Sequence, residues 1–445
     1  MRRSVCHARV IPALMGCTTL ALALALTAPA AAQAAVPRGA ALGRAVLPAG
    51  DGWASADGGT RGGSAADAAH VFTVRNRAEL VAALGDGDGT PRIVQVKGVI
   101  DVNTADDGTP LGCADYATDG YTLDGYLAAY DPAVWGTDRE PSGPLEDARA
   151  ASQKVQAERV QVRVGSRTTI VGLGRGATLR GGNLMVQDAD DVIIRNLSFE
   201  NAADCFPAWD PTDGDTGNWN SEYDNLSVVG STHVWVDHNT FSDGDEPDTT
   251  LPTYFGRVFQ KHDGLFDVVN GSDLVTGSWN VFRDHGKTSL IGNSDSAAAT
   301  DAGRLRVTLH HNLYRNVTER APRVRFGQVD TYNNHYVATA DSGYAYGYSL
   351  GVGVQSQLVA EANAFTLPAG VDRATVIKKW KGTALTEDGN LVNGRPVDLL
   401  AVHNAGLPAE QLGDDAGWTP ALRTRVDRAG AVPYVVDRHA GSGRL

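Results

Sequence analysis

The sequence predicts an all-β chain wound into a right-handed parallel β-helix, a single-stranded solenoid with long loops forming a cleft. Three observations predict it. From Thr168 onward, short β-branched runs alternate with Gly, Asn and Asp. Five segments (192–199, 234–241, 275–282, 307–314 and 329–336) share a template of Val, a polar or aromatic pair, Asn, and an aromatic seven residues after the Val. Those aromatics fall at Phe199, Phe241, Phe282, Tyr314 and Tyr336, with spacings of 42, 41, 32 and 22. That series fits a unit of about 22 residues carrying loop insertions of variable size. Strands this short, with no helical segment between them, favour a parallel β-helix over a βαβ arrangement.

In chain order, Arg2, Arg3 and Arg9 precede an Ala/Leu run from Leu20 to Leu26 and a small-residue cleavage site at Ala32-Gln33-Ala34. Residues 1–34 therefore read as a secretory signal peptide, leaving 35–445 as one secreted domain. The apolar run is too short to anchor a membrane. Maturation removes three arginines and no acidic residue, taking the formal charge from −13 to −16. Such a charge argues against nucleic acid and anionic membranes as partners, and the chain is expected to act as a monomer. Cys6 and Cys17 leave with the signal. In an oxidising compartment the remaining Cys113 and Cys205 suggest one disulfide, the alternative being two buried thiols.

Residues 35–70, rich in Ala and Gly, are expected to lie as an extended surface arm. Phe72 to Leu84 reads as a strand running into a short helix, and Ile93 to Ile100 as a strand. Gly112 to Gln161 forms a long excursion, helical over Leu145 to Val160. Asp224–Val228 and Gly264–Val268 read as strands of other faces of the solenoid. Asn239, Asn280, Asn312 and Asn334 recur at one template position, where stacked turns let amides hydrogen-bond along the stack about 4.8 Å apart. After Ala360 the repeat fades, and a cap helix is expected near Pro420 to Ala429. Loops at 111–150 and 242–258 are expected to shape the cleft.

The chemistry concentrates between Asp263 and Arg325. On a strand, Asp263 and Asp267 point the same way, and like charges held that close call for a cation between them. Asp224 joins them if one coil stacks on the next. Oxygen-only ligands suit a hard cation such as Ca²⁺. The alternative is that these acids merely solvate the surface of a strongly acidic chain. Arg320, Arg323 and Arg325, with Lys287, pose the mirror problem, which a bound polyanion resolves. His238, His285 and His310-His311 sit at what read as equivalent template points, so an in-register structural role is expected of each. No Gly-x-Ser-x-Gly or His-Glu-x-x-His motif is present.

Several stretches together resemble the extracellular pectate lyases of polysaccharide lyase family one. They are Val234-Trp-Val-Asp-His238, His262-Asp-Gly-Leu-Phe-Asp267, Asp284-His-Gly-Lys287 with Leu290-Ile-Gly292, and Arg320-Ala-Pro-Arg-Val-Arg325 followed by Asn333-Asn334. Gly52-Trp53-Ala54, Phe72-Thr-Val74 and Trp219 to Asp224 extend the likeness over most of the mature chain. The resemblance implies calcium-dependent cleavage of polygalacturonate by β-elimination, giving an unsaturated product. It assigns Asp224, Asp263 and Asp267 to the calcium, Arg320 to the base, and Lys287 and Arg325 to the substrate carboxylates, with Arg323 read as a further substrate-binding residue. Crowding by Arg323, Arg325, Lys287 and Ca²⁺ is expected to lower the pKa of Arg320. Gly286 stands where the family usually has Asp, and Asp330 where it often has His; both are expected to shift local charge or subsite preference. Asp213 is a candidate for an additional calcium. The competing readings are a pectin lyase acting on methyl-esterified polymer and a non-catalytic carbohydrate-binding β-solenoid.

Overall fold

In the computed structural model, which describes residues 38–85, 87, 89–406 and 408–445, three sheets run along one solenoid, parallel throughout except for the antiparallel Leu391–Val392 and Arg395–Pro396 pair that ends the second. The signal peptide expected at 1–34 lies outside the described residues, within which no helix is long and apolar enough to cross a membrane. The first sheet has ten strands from Val71–Val74 to Thr386–Asp388, the second ten from Val99–Asp101 to Arg395–Pro396, and the third eight from Gln161–Val164 to Ile377–Lys379. Each coil gives one strand to each sheet. Phe266–Val269 lies in the third, Asp273–Ser278 in the first and Val281–Lys287 in the second, before Leu290–Ile291 re-enters the third.

The repeated template is the register of this stack. Val192, Val234, Val275, Val307 and Val329 pair in one row. Phe199, Phe241, Phe282, Tyr314, Tyr336 and Phe365 stack nearly face to face at centroid distances of 4.5–5.1 Å, the spacing of adjacent strands. Between these rows the chain bends through a left-handed residue at His238, Trp279, His311, Asn333 and Ala362. The bend is buried, so its backbone groups need partners. The asparagine that follows each bend supplies them. Asn280 Oδ1 accepts from the backbone N–H of Asn239 at 2.9 Å, and Asn312, Asn334, Asn363 and Asn390 repeat the bond one coil further on each time. The ladder thus runs two rungs beyond the Ala360 limit expected from sequence. The last aromatic position is held by Val392, paired in register with Phe365.

Three other elements differ from expectation. The 93–100 run breaks at Gly98 (φ 80°), giving Arg92–Val96 to the first sheet and Val99–Asp101 to the second. Residues 41–70 do not trail as an extended arm. They form short helical turns packed on the outer face of the first sheet, where Thr308 and Thr276 hydroxyls accept from the N–H groups of Trp53 and Ala54 at 3.0 Å. The stretch 420–428 is not a helix; it lays Arg423 as a fork on buried Asp330, and the terminal helix is Val432–His439, with Val432 and Val436 against Leu313 and Ala364. Asp330 is thereby a structural partner of Arg423 rather than a determinant of subsite charge.

The 112–161 excursion contains the helix Pro144–Val160 and closes an aromatic cluster of Tyr116, Tyr126, Tyr130, Phe206, Trp209 and Trp219. Cys113 and Cys205 form a disulfide with Cα atoms 5.3 Å apart, tying the excursion to the coil. An Asn312→Ala change strands the Asn280 N–H and the Gly277 carbonyl. The expected result is a loss of about 1–3 kcal/mol, read as a lower Tm; an unchanged melt would show that the ladder is passive.

Candidate active site

The site lies where the second sheet turns into the third, and successive coils deliver its parts. Along the third sheet, Ser227 pairs with Asp267, and Leu290 with Arg323, while Val268 opposite Ile291 puts Asp267 beside Leu290. Asp224 lies two residues before the strand Leu226–Val229, and Asp263 three residues before Phe266–Val269. Lys287 ends Val281–Lys287 and pairs with Glu319, the last residue of Leu313–Glu319, so Arg320 emerges one coil beyond Lys287. Arg320 itself takes a left-handed conformation (φ 59°) ahead of the cis Ala321-Pro322 bond, which turns the chain into Arg323–Val324.

Asp224 and Asp267 are buried. Asp224 accepts from the Ser227 hydroxyl (2.6 Å) and the Gly264 N–H (2.8 Å), and Asp267 accepts from the Leu290 N–H (2.9 Å). Burial, and then the charge of Asp263, pushes Asp224 up to about 7. Burial and the charges of Asp224 and Asp263 push Asp267 well above the ordinary carboxylate range. Asp263 is held low: burial works against its charge, but Lys287, with Nζ 2.9 Å from Oδ1, and then Arg320 outweigh it. Gly264 is the floor of this group. A Cβ there would stand 2.5 Å from Asp267 Oδ1 and 2.7 Å from Asp224 Oδ1, so only glycine leaves the two oxygens their convergence.

Two buried carboxylates that repel one another, with oxygen-only donors above a glycine floor, fit a hard divalent cation. No group of three or more His, Cys, Asp or Glu among the described residues is closed into a metal cage. Asp263 is instead turned to Lys287, which gives it the positive partner a cation otherwise supplies.

The basic half departs from expectation in one respect. Lys287, Arg323 and Arg325 alone do not lower the pKa of Arg320. Burial disfavours its charge, but Asp263, Glu319 and Asp267 outweigh burial and raise its pKa, and its Nε donates to Glu319 Oε1 at 3.3 Å. The carboxylates nearest the guanidinium therefore set its proton affinity. Arg325 is held by Asp295 (2.6 Å) and the Gly292 carbonyl (2.8 Å), and Asp295 also binds Lys381 (2.7 Å). Arg323 lies over the Trp380 ring, 4.2 Å from its centroid.

His285 is not in the ladder. His238, Trp279 and His311 stack at equivalent points, and His310 stacks on Tyr332. His285 instead braces the site from beneath. Its Nδ1 faces Asp243 Oδ1 (2.7 Å), and its Nε2 faces the carbonyls of Asp263 (2.6 Å) and Lys287 (2.9 Å), while the Tyr344 hydroxyl donates to the other Asp243 oxygen (2.8 Å). With acceptors on both ring nitrogens, His285 carries both protons, and Asp243 outweighs burial in raising its pKa. Asp243, Asp295, Glu319 and Gly264 were missed as site residues; of these, Glu319 and Gly264 adjoin the charged motifs directly. Gly286 lies on the same strand as His285, near Gln260. Asp213 sits in the tight turn between Ala208–Asp210 and Asn218–Asn220.

A parallel β-helix with an acidic and a basic cluster meeting at one sheet corner is the arrangement that the resemblance to the polysaccharide lyases implies. The chain matches the family described as Pectate lyase over residues 23–114 and 143–406. It is 47% identical to a pectate lyase of Bacillus subtilis (strain 168) across 96% of this chain and 98% of that protein. To pectate lyase E of Dickeya chrysanthemi it is 36% identical across 78% and 76%. Its fold superposes on a mutant Bacillus subtilis pectate lyase with a TM-score of 0.87, and on a thermostable pectate lyase with 0.89, each at 47% identity and covering 91% of this chain and 99% of the other. The chain belongs to the pectate lyase family.

Gly264→Ala is expected to keep the far-ultraviolet circular dichroism of the parent while abolishing most activity, because the methyl group pushes Asp224 and Asp267 apart; wild-type turnover would show that their convergence is dispensable.

Proposed function

We propose that the mature protein, freed of residues 1–34, is a secreted, calcium-dependent pectate lyase that cleaves α-1,4-linked polygalacturonate by β-elimination. One observation carries the site assignment: buried Asp224 and Asp267 lie on consecutive coils, Arg320 follows two coils beyond Asp267, and the Lys287–Asp263 pair stands between them. An acidic polysaccharide satisfies both halves at once.

Asp224, Asp263 and Asp267 would hold the calcium. A calcium held there would supply Lewis-acid withdrawal of charge from the uronate carboxylate, which would make the adjacent C5–H more acidic. Lys287, which the uronate offers a second carboxylate partner beside Asp263, and Arg325, set in place by Asp295, hold that carboxylate in position. Arg320 Nη accepts the C5 proton. The C5–H electron pair becomes the C4–C5 double bond as the C4–O bond breaks, and solvent protonates the departing oxygen. A neutral methyl ester offers these cations no ionic partner.

Glu319 and the aspartates raise the pKa of Arg320. A base needs its unprotonated form, so the rate rises with pH through the alkaline range. The expected pH–rate profile climbs continuously from pH 7 to 10; a maximum near pH 6 would exclude Arg320 as base. Ultraviolet absorbance of the unsaturated product is expected to grow with polygalacturonate, to stop with EGTA and to resume with added calcium. A rise with methylated pectin alone would favour a pectin lyase. Arg320→Lys is expected to lose about 10²–10⁴-fold in kcat with KM nearly unchanged, and turnover near the parent rate would overturn the assignment.

A further inference from the structure

The outward row of the third sheet that carries Asp267, Leu290 and Arg323 continues through Gly351 to Lys378. Two strand spacings, about 9–10 Å, separate the backbones of Arg323 and Lys378. Gly351, between them, has no side chain because the Tyr348 ring and Arg323 pack against it: a Cβ there would stand 2.9 Å from the ring and 3.1 Å from Arg323. The half-buried indole of Trp380 holds both cations: the Arg323 guanidinium carbon lies 4.2 Å from the ring centroid and the Lys378 ammonium 5.5 Å. The neighbouring cations are all engaged. Arg325 and Lys381 share Asp295, and Lys379 donates to the carbonyls of Ala409 and Gln411. Among the described residues, Arg323 and Lys378 have no ion-pair partner, although the chain carries a formal charge of −13. An acidic protein that leaves two cations unpaired in register, fixed on one indole beside its reactive site, has the chemistry of a receptor for a repeating anion.

We propose that Arg323, Trp380 and Lys378 form a distal subsite that binds the carboxylates of galacturonate residues beyond the one that reacts, extending the uronate track along the third sheet. This rests on the polygalacturonate reading. Trp380 acts by positioning: cation–π attraction fixes the two long side chains before substrate arrives, so less freedom is lost on binding. The subsite contributes to long substrates and nothing to those too short to reach it.

The test compares steady-state kinetics on polygalacturonate and on the shortest oligogalacturonate that the parent enzyme cleaves. Lys378→Gln, at an exposed position, is expected to raise KM for the polymer about three- to tenfold, with kcat unchanged and the short-substrate KM unmoved. Lys378→Arg is expected to restore the polymer KM, and Lys378→Gln to flatten its dependence on salt. Trp380→Leu is expected to reproduce the length-dependent loss, with circular dichroism confirming its fold. A polymer KM within twofold of the parent, or an equal loss on both substrates, would overturn the subsite. Absence of turnover by the parent on every galacturonate would instead overturn the reading on which it rests.

Discussion

The interaction on which the rest of this molecule depends is the bond from one buried asparagine to the backbone of the coil before it. A solenoid must turn a corner inside its own core, and a backbone that bends there loses water without gaining a strand partner. Asn239, Asn280, Asn312, Asn334, Asn363 and Asn390 return that partner at every turn. They also set the phase, because a coil displaced by one residue would bring the wrong side chain under the amide. The stacked aromatic row and the paired valines follow from that phase.

The same phase makes the site. Neither Asp224 nor Asp267 is tolerable alone at its depth, and both are raised by burial and by the other charges around them. The fold holds them there through the N–H groups of Gly264 and Leu290 and the Ser227 hydroxyl. On the basic side, Glu319 steadies Arg320, Asp295 steadies Arg325, and the His285–Asp243–Tyr344 chain ties down the backbone carrying Asp263 and Lys287. Charge is stored in opposed pairs that a uronate and its counter-ion can replace.

Much of this was legible in the sequence because it repeats. A Val, an Asn and an aromatic at fixed offsets report a stacked coil wherever they recur, and Asp263, Asp267, Lys287 and the three arginines stand out by charge alone. What was not legible depends on depth and orientation. The last two rungs were hidden because Ala362 and Gly389 replace the larger residues before the asparagine and Val392 replaces the ring. Asp284-His285 has the same wording as Asp237-His238, yet one lies under the site and the other in a stack. Counting the cationic side chains near Arg320 does not show which charges face its guanidinium, and Asp263 and Glu319 do.

Acid and base here come from consecutive coils, so the distance between them is counted in whole strands. Ser227, Asp267, Leu290 and Arg323 sit on adjoining rungs, and Asp224 lies three residues before Ser227. Gain of a complete coil between Asp224 and Arg320 would part the two halves by about 4.8 Å, and loss of one would bring them that much closer, even if every site residue were kept. Insertions at the corners leave that count untouched, as the unequal spacings of the aromatic row already display. Divergence in this chain is therefore free in loop length and barred in coil number across the site, a rule of inheritance imposed by the stack itself.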